Sequence, residues 1–184
     1  SFTNFPSDVA TNVDSLIKYY TDRGYLVKTK PSDEELSGKF DGDKTQTQYL
    51  KLQLVHDKAT VSGEDENTPA PDTPINENDP DSVKYPSDVS KDNLVISSQN
   101  IIHYYDEAGN KLRDDKVTTD DSTLTREVTI DKVTGKVTNT SDWTGDKEYE
   151  NVNTPVVNGY YAEKASAGAS TVTPADANSG RVHD

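Results

Sequence analysis

Between Glu64 and Ser82 the chain carries seven acidic residues (Glu64, Asp65, Glu66, Asp72, Glu77, Asp79, Asp81), four prolines (Pro69, Pro71, Pro74, Pro80) and no lysine or arginine. Each proline fixes φ and removes an N–H donor, so neither a helix nor a central strand can run through this stretch. The uncompensated carboxylates repel one another and favour an extended, solvated chain. The sequence therefore divides into a module at 1–68, an acidic Pro-rich linker at 69–90 and a second module at 91–184.

Periodicity predicts what each part folds into. Val9, Val13, Leu16, Ile17 and Tyr20 recur at helical spacing, giving a helix over 5–24 with Ser7 as N-cap after Pro6 and Gly24 at C′. Tyr25–Thr29 leaves it as a strand. Gln48–Val55 alternates, with Leu50, Leu52 and Leu54 on one face, and Ala59–Val61 extends it. Beyond the linker the pattern is mostly β: Leu94–Ile96, Ile101–Tyr105, Thr123–Asp131 and Val137–Thr140, with further strand material at Val156–Val157 and Tyr160–Tyr161. Asp106–Asn110 is a turn cluster, and Lys132–Lys136 closes a hairpin. Leu124, Val128 and Ile130 share the inward face of Thr123–Asp131. Arg126 shares their parity and is expected at an edge or snorkelling. The tail from Ala165 is expected as an edge strand or disorder. Phe5-Pro6-Ser7-Asp8-Val9 is echoed by Tyr85-Pro86-Ser87-Asp88-Val89, which fits a protein built from related modules.

Several function classes are disfavoured. The hydrophobic fraction is 30% and the formal charge −14, so small cores joined by solvated segments are expected rather than one large core. An acidic chain without a cationic stripe is a poor nucleic-acid ligand. No run approaches the roughly 18 apolar residues of a membrane span. The chain opens at Ser1 without a signal sequence, as expected of a fragment of a longer protein. With no cysteine there is no disulfide, thiolate zinc site or cysteine nucleophile. His56, His103 and His183 are the only histidines. They stand in no Gly-x-Ser-x-Gly or His-Glu-x-x-His context and are read as structural or surface residues. The expectation is a non-enzyme without cofactor. Asp41-Gly42-Asp43 resembles the start of a calcium loop. It lacks the following ligand, the glycine and the distant glutamate, so calcium at Asp41 and Asp43 is weighed against a solvated turn.

Three stretches resemble the mucin-binding (MucBP) repeats of lactic-acid-bacterial adhesins. Ile101 to Leu112, with Tyr104, Asp106 and Gly109 in order, is similar to the family's strand–Tyr–x–Asp–turn–Gly–Leu opening. Leu124 to Val137 followed by Trp143 is similar to its central hairpin, and Val152 to Tyr160 to its Pro–x–x–x–Gly–Tyr element. Gly24–Val27, Lys39–Asp41 and Tyr49–His56 with Thr60-Val61 resemble a companion module of the same adhesins. The resemblance implies an α+β chain of two tandem β-grasp (ubiquitin-like) modules in an elongated arrangement, the second mostly β. It also implies a repeat of a cell-wall-anchored, extracellular parent protein that meets neighbouring repeats and binds host mucin glycoproteins. Aromatic faces stack on sugars, so Tyr104, Tyr105, Tyr160 and Tyr161 are the candidate ligand-binding residues. On a strand the two members of a pair point to opposite faces, leaving one of each free. Trp143 is expected as a core plug. The rival readings are immunoglobulin binding through a sheet edge and a pure structural spacer.

Overall fold

The computed structural model of the chain describes residues 3–4, 9–36, 39–40 and 49–178. In chain order the N-terminal elements are β1 (Thr3–Asn4), α1 (Val9–Thr21), β2 (Tyr25–Thr29), α2 (Asp33–Leu36), β3 (Lys39–Phe40), β4 (Gln53–His56) and β5 (Lys58–Ser62). Then come α3 (Lys91–Leu94), β6 (Val95–Ile102), β7 (Lys116–Thr125), β8 (Glu127–Asp131) and β9 (Val137–Thr140). Four short strands follow: β10 (Lys147–Tyr149), β11 (Val152–Asn153), β12 (Ser166–Ala167) and β13 (Ser170–Val172). Strands dominate and helices are few, which fits the α+β class. Two compact units are present: one drawn from 1–60, 69–88 and 129–139, the other from 61–68, 89–128 and 140–184. Among the described residues no helix is long and apolar enough to cross a membrane. Pro6, Ser7, Gln48 and His183 lie outside the described residues.

In the first unit α1 packs on β2, with Val13, Ile17 and Tyr20 half-buried along one stripe while Leu16 and Tyr19 face solvent. Its C-terminus is closed by Gly24 at φ +91°. The Arg23 guanidinium donates to Tyr19 O (2.9 Å) and lies over the Tyr19 ring (3.7 Å). Gly24 answers two needs. Its conformation is strained for any L side chain, and a Cβ there would sit 2.5 Å from Lys132 O. β2 pairs antiparallel with β4, Tyr25 opposite His56 and Val27 opposite Leu54. The expected Gln48–Val55 strand is thus shorter, beginning at Gln53. Leu50 precedes it, exposed, because only Gln53 to His56 meets β2. A separate strand, β5, follows Asp57.

Asp57, Gly24, Lys132 and Asn76 form a polar junction. Asp57 N donates to Gly24 O (2.8 Å), Lys132 N to Asp57 O (2.9 Å), and Lys132 Nζ pairs with Asp57 Oδ2 (2.7 Å). The buried Asn76 amide donates to Lys132 O (2.7 Å). Asn76 belongs to the proline-bearing stretch, which is closed by its own backbone hydrogen bonds. Tyr85 N donates to Thr73 O, Asp72 N to Tyr85 O and Ile75 N to Val83 O, each at 2.9 Å. Ile75, Asn76 and Asp79 of this loop are buried.

Asp131 ends β8, and the hairpin expected at Lys132–Lys136 is present: Gly135 N donates to Asp131 O (2.8 Å) and Asp131 N to Lys136 O (2.9 Å). His56 Nδ1 lies 2.7 Å from Asp131 Oδ2, and Val133 N and Thr134 N donate to Oδ1. Desolvation pushes the Asp131 carboxyl up. The His56 bond and the two amides outweigh it and hold the group below the ordinary carboxylate value of 3.8.

The second unit has its own core of Val61, Val89, Leu94, Leu124, Val128 and Tyr149. Each large side chain removed from water contributes about 1.5–3 kcal/mol before entropy is counted. The Thr123–Asp131 strand breaks at Arg126. Its N–H donates to Leu94 O (3.0 Å), its carbonyl accepts Gly63 N (3.0 Å), and its guanidinium donates to Asn93 O (2.6 Å) while lying 4.4 Å over Trp143. Arg126 therefore acts as a rivet, and Trp143 is half-buried beneath it. Ile96 and Ile101 lie on one strand, β6, where two were expected. β6 pairs antiparallel with β7, whose first residues give no β pattern in the sequence. The tail forms edge strands as one reading had it: β10 pairs with β13 and β11 with β12. Lys147 Nζ, 3.1 Å from Asp120 Oδ2, leads in holding that carboxyl below its ordinary range, ahead of the Ser122 amide.

Two outcomes follow. Gly24→Ala lowers stability by at least ~1–2 kcal/mol, the left-handed backbone penalty alone, read as a fall in thermal midpoint. Asp131 and Asp120 both have depressed folded pKa values, so their stabilisation is present above the unfolded value near 3.8 and lost as pH falls through the folded ones. Urea midpoints hold from neutral pH to near 4 and decline below it; a midpoint that rises below pH 4 contradicts this.

Candidate functional site

The β6–β7 pair has two unlike faces. Ser98, Asn100 and Ile102 alternate on one of them. The Ser98 hydroxyl lies 2.6 Å from Tyr149 Oη and 2.5 Å from Thr123 Oγ1. Asn100 donates to Gly168 O (2.6 Å), and Gly168 (φ +103°) lies so close over Ile102 that a Cβ would be 2.9 Å from Ile102 Cδ1. This face is covered by 147–172. The opposite face, Gln99 opposite Thr119 and Ile101 opposite Val117, stays exposed. Ile101 is 39% and Val117 47% accessible. The β2–β4 pair of the first unit likewise leaves a directly opposed apolar pair exposed, Leu26 opposite Val55, so what sets the β6–β7 face apart is its continuation to Tyr105.

The face continues to the hairpin tip. Tyr105 pairs with Lys111 across it, and the loop between is held by Asp106, which accepts from Ala108 N (3.0 Å) and Asn110 N (2.8 Å). The Asn110 side-chain amide is the main cause of its lowered pKa. Tyr105 is 54% exposed, its ring 6.0 Å from that of His103. His103 Nδ1 lies 3.0 Å from Asp115 Oδ2, and Lys111 Nζ 3.3 Å from Asp115 Oδ1. Desolvation raises the Asp115 carboxyl. His103 and Lys111 more than offset that and keep it lowered. Asp115 is thus paired with the Lys111 ammonium and the His103 ring, while Asp106, next to Tyr105 in the chain, is engaged by the turn amides.

The tyrosine candidates fall in two places. Tyr104 is half-buried, with Arg113 5.3 Å over its ring, and Tyr105 is free. Tyr160 and Tyr161 lie on no strand. They follow a turn at Gly159 (φ +86°) and both are exposed, Tyr161 at 92% beside Val156 at 92%. Alternation therefore does not apply to that pair. Among the described residues no ring contact joins the two places. Asp41 and Asp43 lie outside the described residues, and among those described no group of three or more His, Asp or Glu could hold a metal. Sequence reasoning missed Ile101 and Val117 as a pair. The Asp106–Asn110 turn was the available signal, because a turn after one strand implies a partner returning beside it.

The Muc B2-like domain family matches residues 89–183. A crystal structure of Mub-RV is similar at TM-score 0.53 and 23% identity, covering 88% of this chain and 74% of that one. The type 2 repeat of the mucus binding protein MUB from Lactobacillus reuteri is similar at TM-score 0.45 and 20% identity, covering 93% and 77%. No curated protein matches the chain significantly. The likeness to Mub-RV concerns the fold, and none of these descriptions names an enzyme. With its profile spanning more than half of the sequence, from the last turn before α3 into the C-terminal tail, the Muc B2-like domain family is the one to which this chain belongs.

Proposed function

We propose that the chain is a non-catalytic, extracellular adhesin repeat that binds host mucin glycoproteins. The observation that carries the reading is the exposed face of β6–β7, with Ile101, Val117 and Tyr105 in water and Asp115 neutralised beside them. Tyr105 stacks on sugar C–H faces. Tyr160 and Tyr161 form a second contact, and Tyr104 positions the hairpin tip. The helix of the first unit packed on β2, which itself pairs with β4, supports a ubiquitin-like reading of that module. Weak sites of this kind gain strength by repetition along a cell-wall-anchored parent chain.

Charge shapes the binding. Mucin glycans carry sialate and sulfate, and a −14 chain repels them at long range. Attachment at an uncharged or locally cationic face avoids that repulsion. A protein-binding reading, immunoglobulin by sheet-edge addition, is favoured by one observation: β6 and β7 form a two-stranded sheet.

Tyr105→Ala weakens mucin binding by about 2- to 10-fold, the ~0.5–1.5 kcal/mol of an aromatic contact, with an unchanged melting temperature. Deglycosylating the mucin abolishes binding, whereas retention favours the sheet-edge reading. Mucin binding strengthens from pH 7 toward about 4.5 as carboxylates approach their ordinary pKa values; a flat or falling profile over that interval rejects the charge argument.

A further inference from the structure

The proline-bearing loop of the first unit lines a shallow, open groove of about 440 Å³, formed by Pro69, Thr73, Pro74, Ile75, Glu77 and Tyr85. It lies outside the stretch that the family matches. Its walls are preformed. The bonds of Tyr85 N to Thr73 O, Asp72 N to Tyr85 O and Ile75 N to Val83 O fix the loop across its width. Asn76 N donates to Ser82 Oγ (2.8 Å), and Asp72 takes φ +65° at the near turn. Ile75 is buried, and Tyr85 is half-buried beside the two prolines.

The lining has the chemistry of a sugar subsite. Tyr85 offers a flat aromatic ring to a sugar C–H face, and Pro69 and Pro74 add apolar contact beside it. The Thr73 hydroxyl donates to Ala70 O (2.6 Å), which leaves its lone pairs to accept from a ligand. The exposed Glu77 carboxylate accepts strongly from hydroxyl or amide donors. Charge then selects the sugar. Residues 69–85 carry four carboxylates (Asp72, Glu77, Asp79, Asp81) and one lysine. Lys84 lies 3.1 Å from Asp72, and Arg23 is 4.0 Å from Asp79. A sialate or sulfate brought here meets uncompensated negative charge. A proline-rich peptide needs a row of aromatic ridges, and this groove has a single aromatic ring. The volume lies at the small end of ligand sites, suited to one or two sugar residues.

We propose that this groove is a subsite for an uncharged hexose or N-acetylhexosamine residue, gripped between Tyr85 and Glu77. The proposal rests on the glycan-adhesion reading and adds a second site with the opposite preference for charge: neutral sugars here, tolerance of acidic ones at β6–β7.

The test is amide chemical-shift mapping of the intact 184-residue chain with N-acetyllactosamine, its 6-sulfated form and a proline-rich decapeptide. Neutral disaccharide is expected to shift Thr73, Ile75, Glu77 and Tyr85 with a Kd of about 1 mM, the sulfated form binding there about tenfold more weakly. Glu77→Gln weakens the neutral sugar about three- to tenfold and narrows the gap between the two sugars. Tyr85→Ala removes the shifts, and Tyr85→Phe, which keeps the ring and the fold, retains them. The proposal is overturned if the neutral sugar leaves 69–85 unmoved, if the sulfated form binds there equally well, or if only the peptide binds there. The two readings fail separately. Shifts confined to residues 99–105 sink the groove and leave mucin adhesion standing. Shifts at 69–85 in a chain that fails to bind intact mucin sink the adhesion reading and leave the groove.

Discussion

Lys132 is held at three points, and the first unit depends on it. Its N–H meets Asp57, its carbonyl takes the buried Asn76 amide, and its ammonium returns to Asp57. That unit has Ile75 and Ile130 as its buried large apolar side chains among the described residues, too few to hold α1, β2 and the proline loop by burial alone. Polar groups placed in a partly dry junction gain strength from the lower dielectric, at the cost that each must be satisfied. Gly24 shows how tight the junction is: the helix must turn left-handed at the same point where the Lys132 carbonyl fills the space a side chain would take. The second unit solves the same shortage with Arg126, whose main chain and side chain tie 63, 93 and 94 together over Trp143.

This economy of apolar residues gives the exposed ones their meaning. A chain with ample hydrophobic inventory can leave a leucine in water at no functional cost. Here the apolar fraction is 30%, and yet Ile101, Val117, Val156 and Tyr161 are left out, as are Leu16, Leu26, Tyr49 and Val55 of the first unit. The segment 147–172 covers one face of β6–β7 with a serine–tyrosine contact and an asparagine clasp, so the hairpin is stable without its outer face. That face is free to serve a ligand.

Much of the fold was legible, and what was not has a common cause. Leu124, Val128 and Ile130 alternate cleanly and are all buried; Gly24 stands where a helix must end; the 132–136 turn has its glycine in place. The first half of β7, Lys-Val-Thr-Thr-Asp-Asp, gave no signal because most of its side chains face water and its pairing is decided by β6. Leu50 to Leu54 alternated convincingly, but alternation needs a partner, and β2 is long enough only for Gln53–His56. Tyr160 and Tyr161 were β-prone by type and became part of a turn region because Gly159 sets the local backbone. In the acidic stretch, composition weighed seven carboxylates and four prolines and was blind to one asparagine, buried on a partner, Lys132, that lies far along the chain. Of the site, tyrosine identity was readable. The Ile101–Val117 pair and the paired Asp115 required a register and two distances.

Electrostatics decides how such a surface meets an acidic glycan. At physiological ionic strength the field of an exposed carboxylate is screened over about 8 Å, so a ligand senses its immediate neighbours more than the total of −14. Around Tyr105 those neighbours are Asp106 and Glu107 along the chain together with Lys111 and His103, the last two turned onto Asp115. The Lys111 ammonium, 3.3 Å from Asp115 Oδ1, balances that carboxylate. The charge presented at the hairpin tip is therefore set by these few side chains, whereas the pH dependence of the scaffold rests on Asp131 and Asp120, which are held in other contacts.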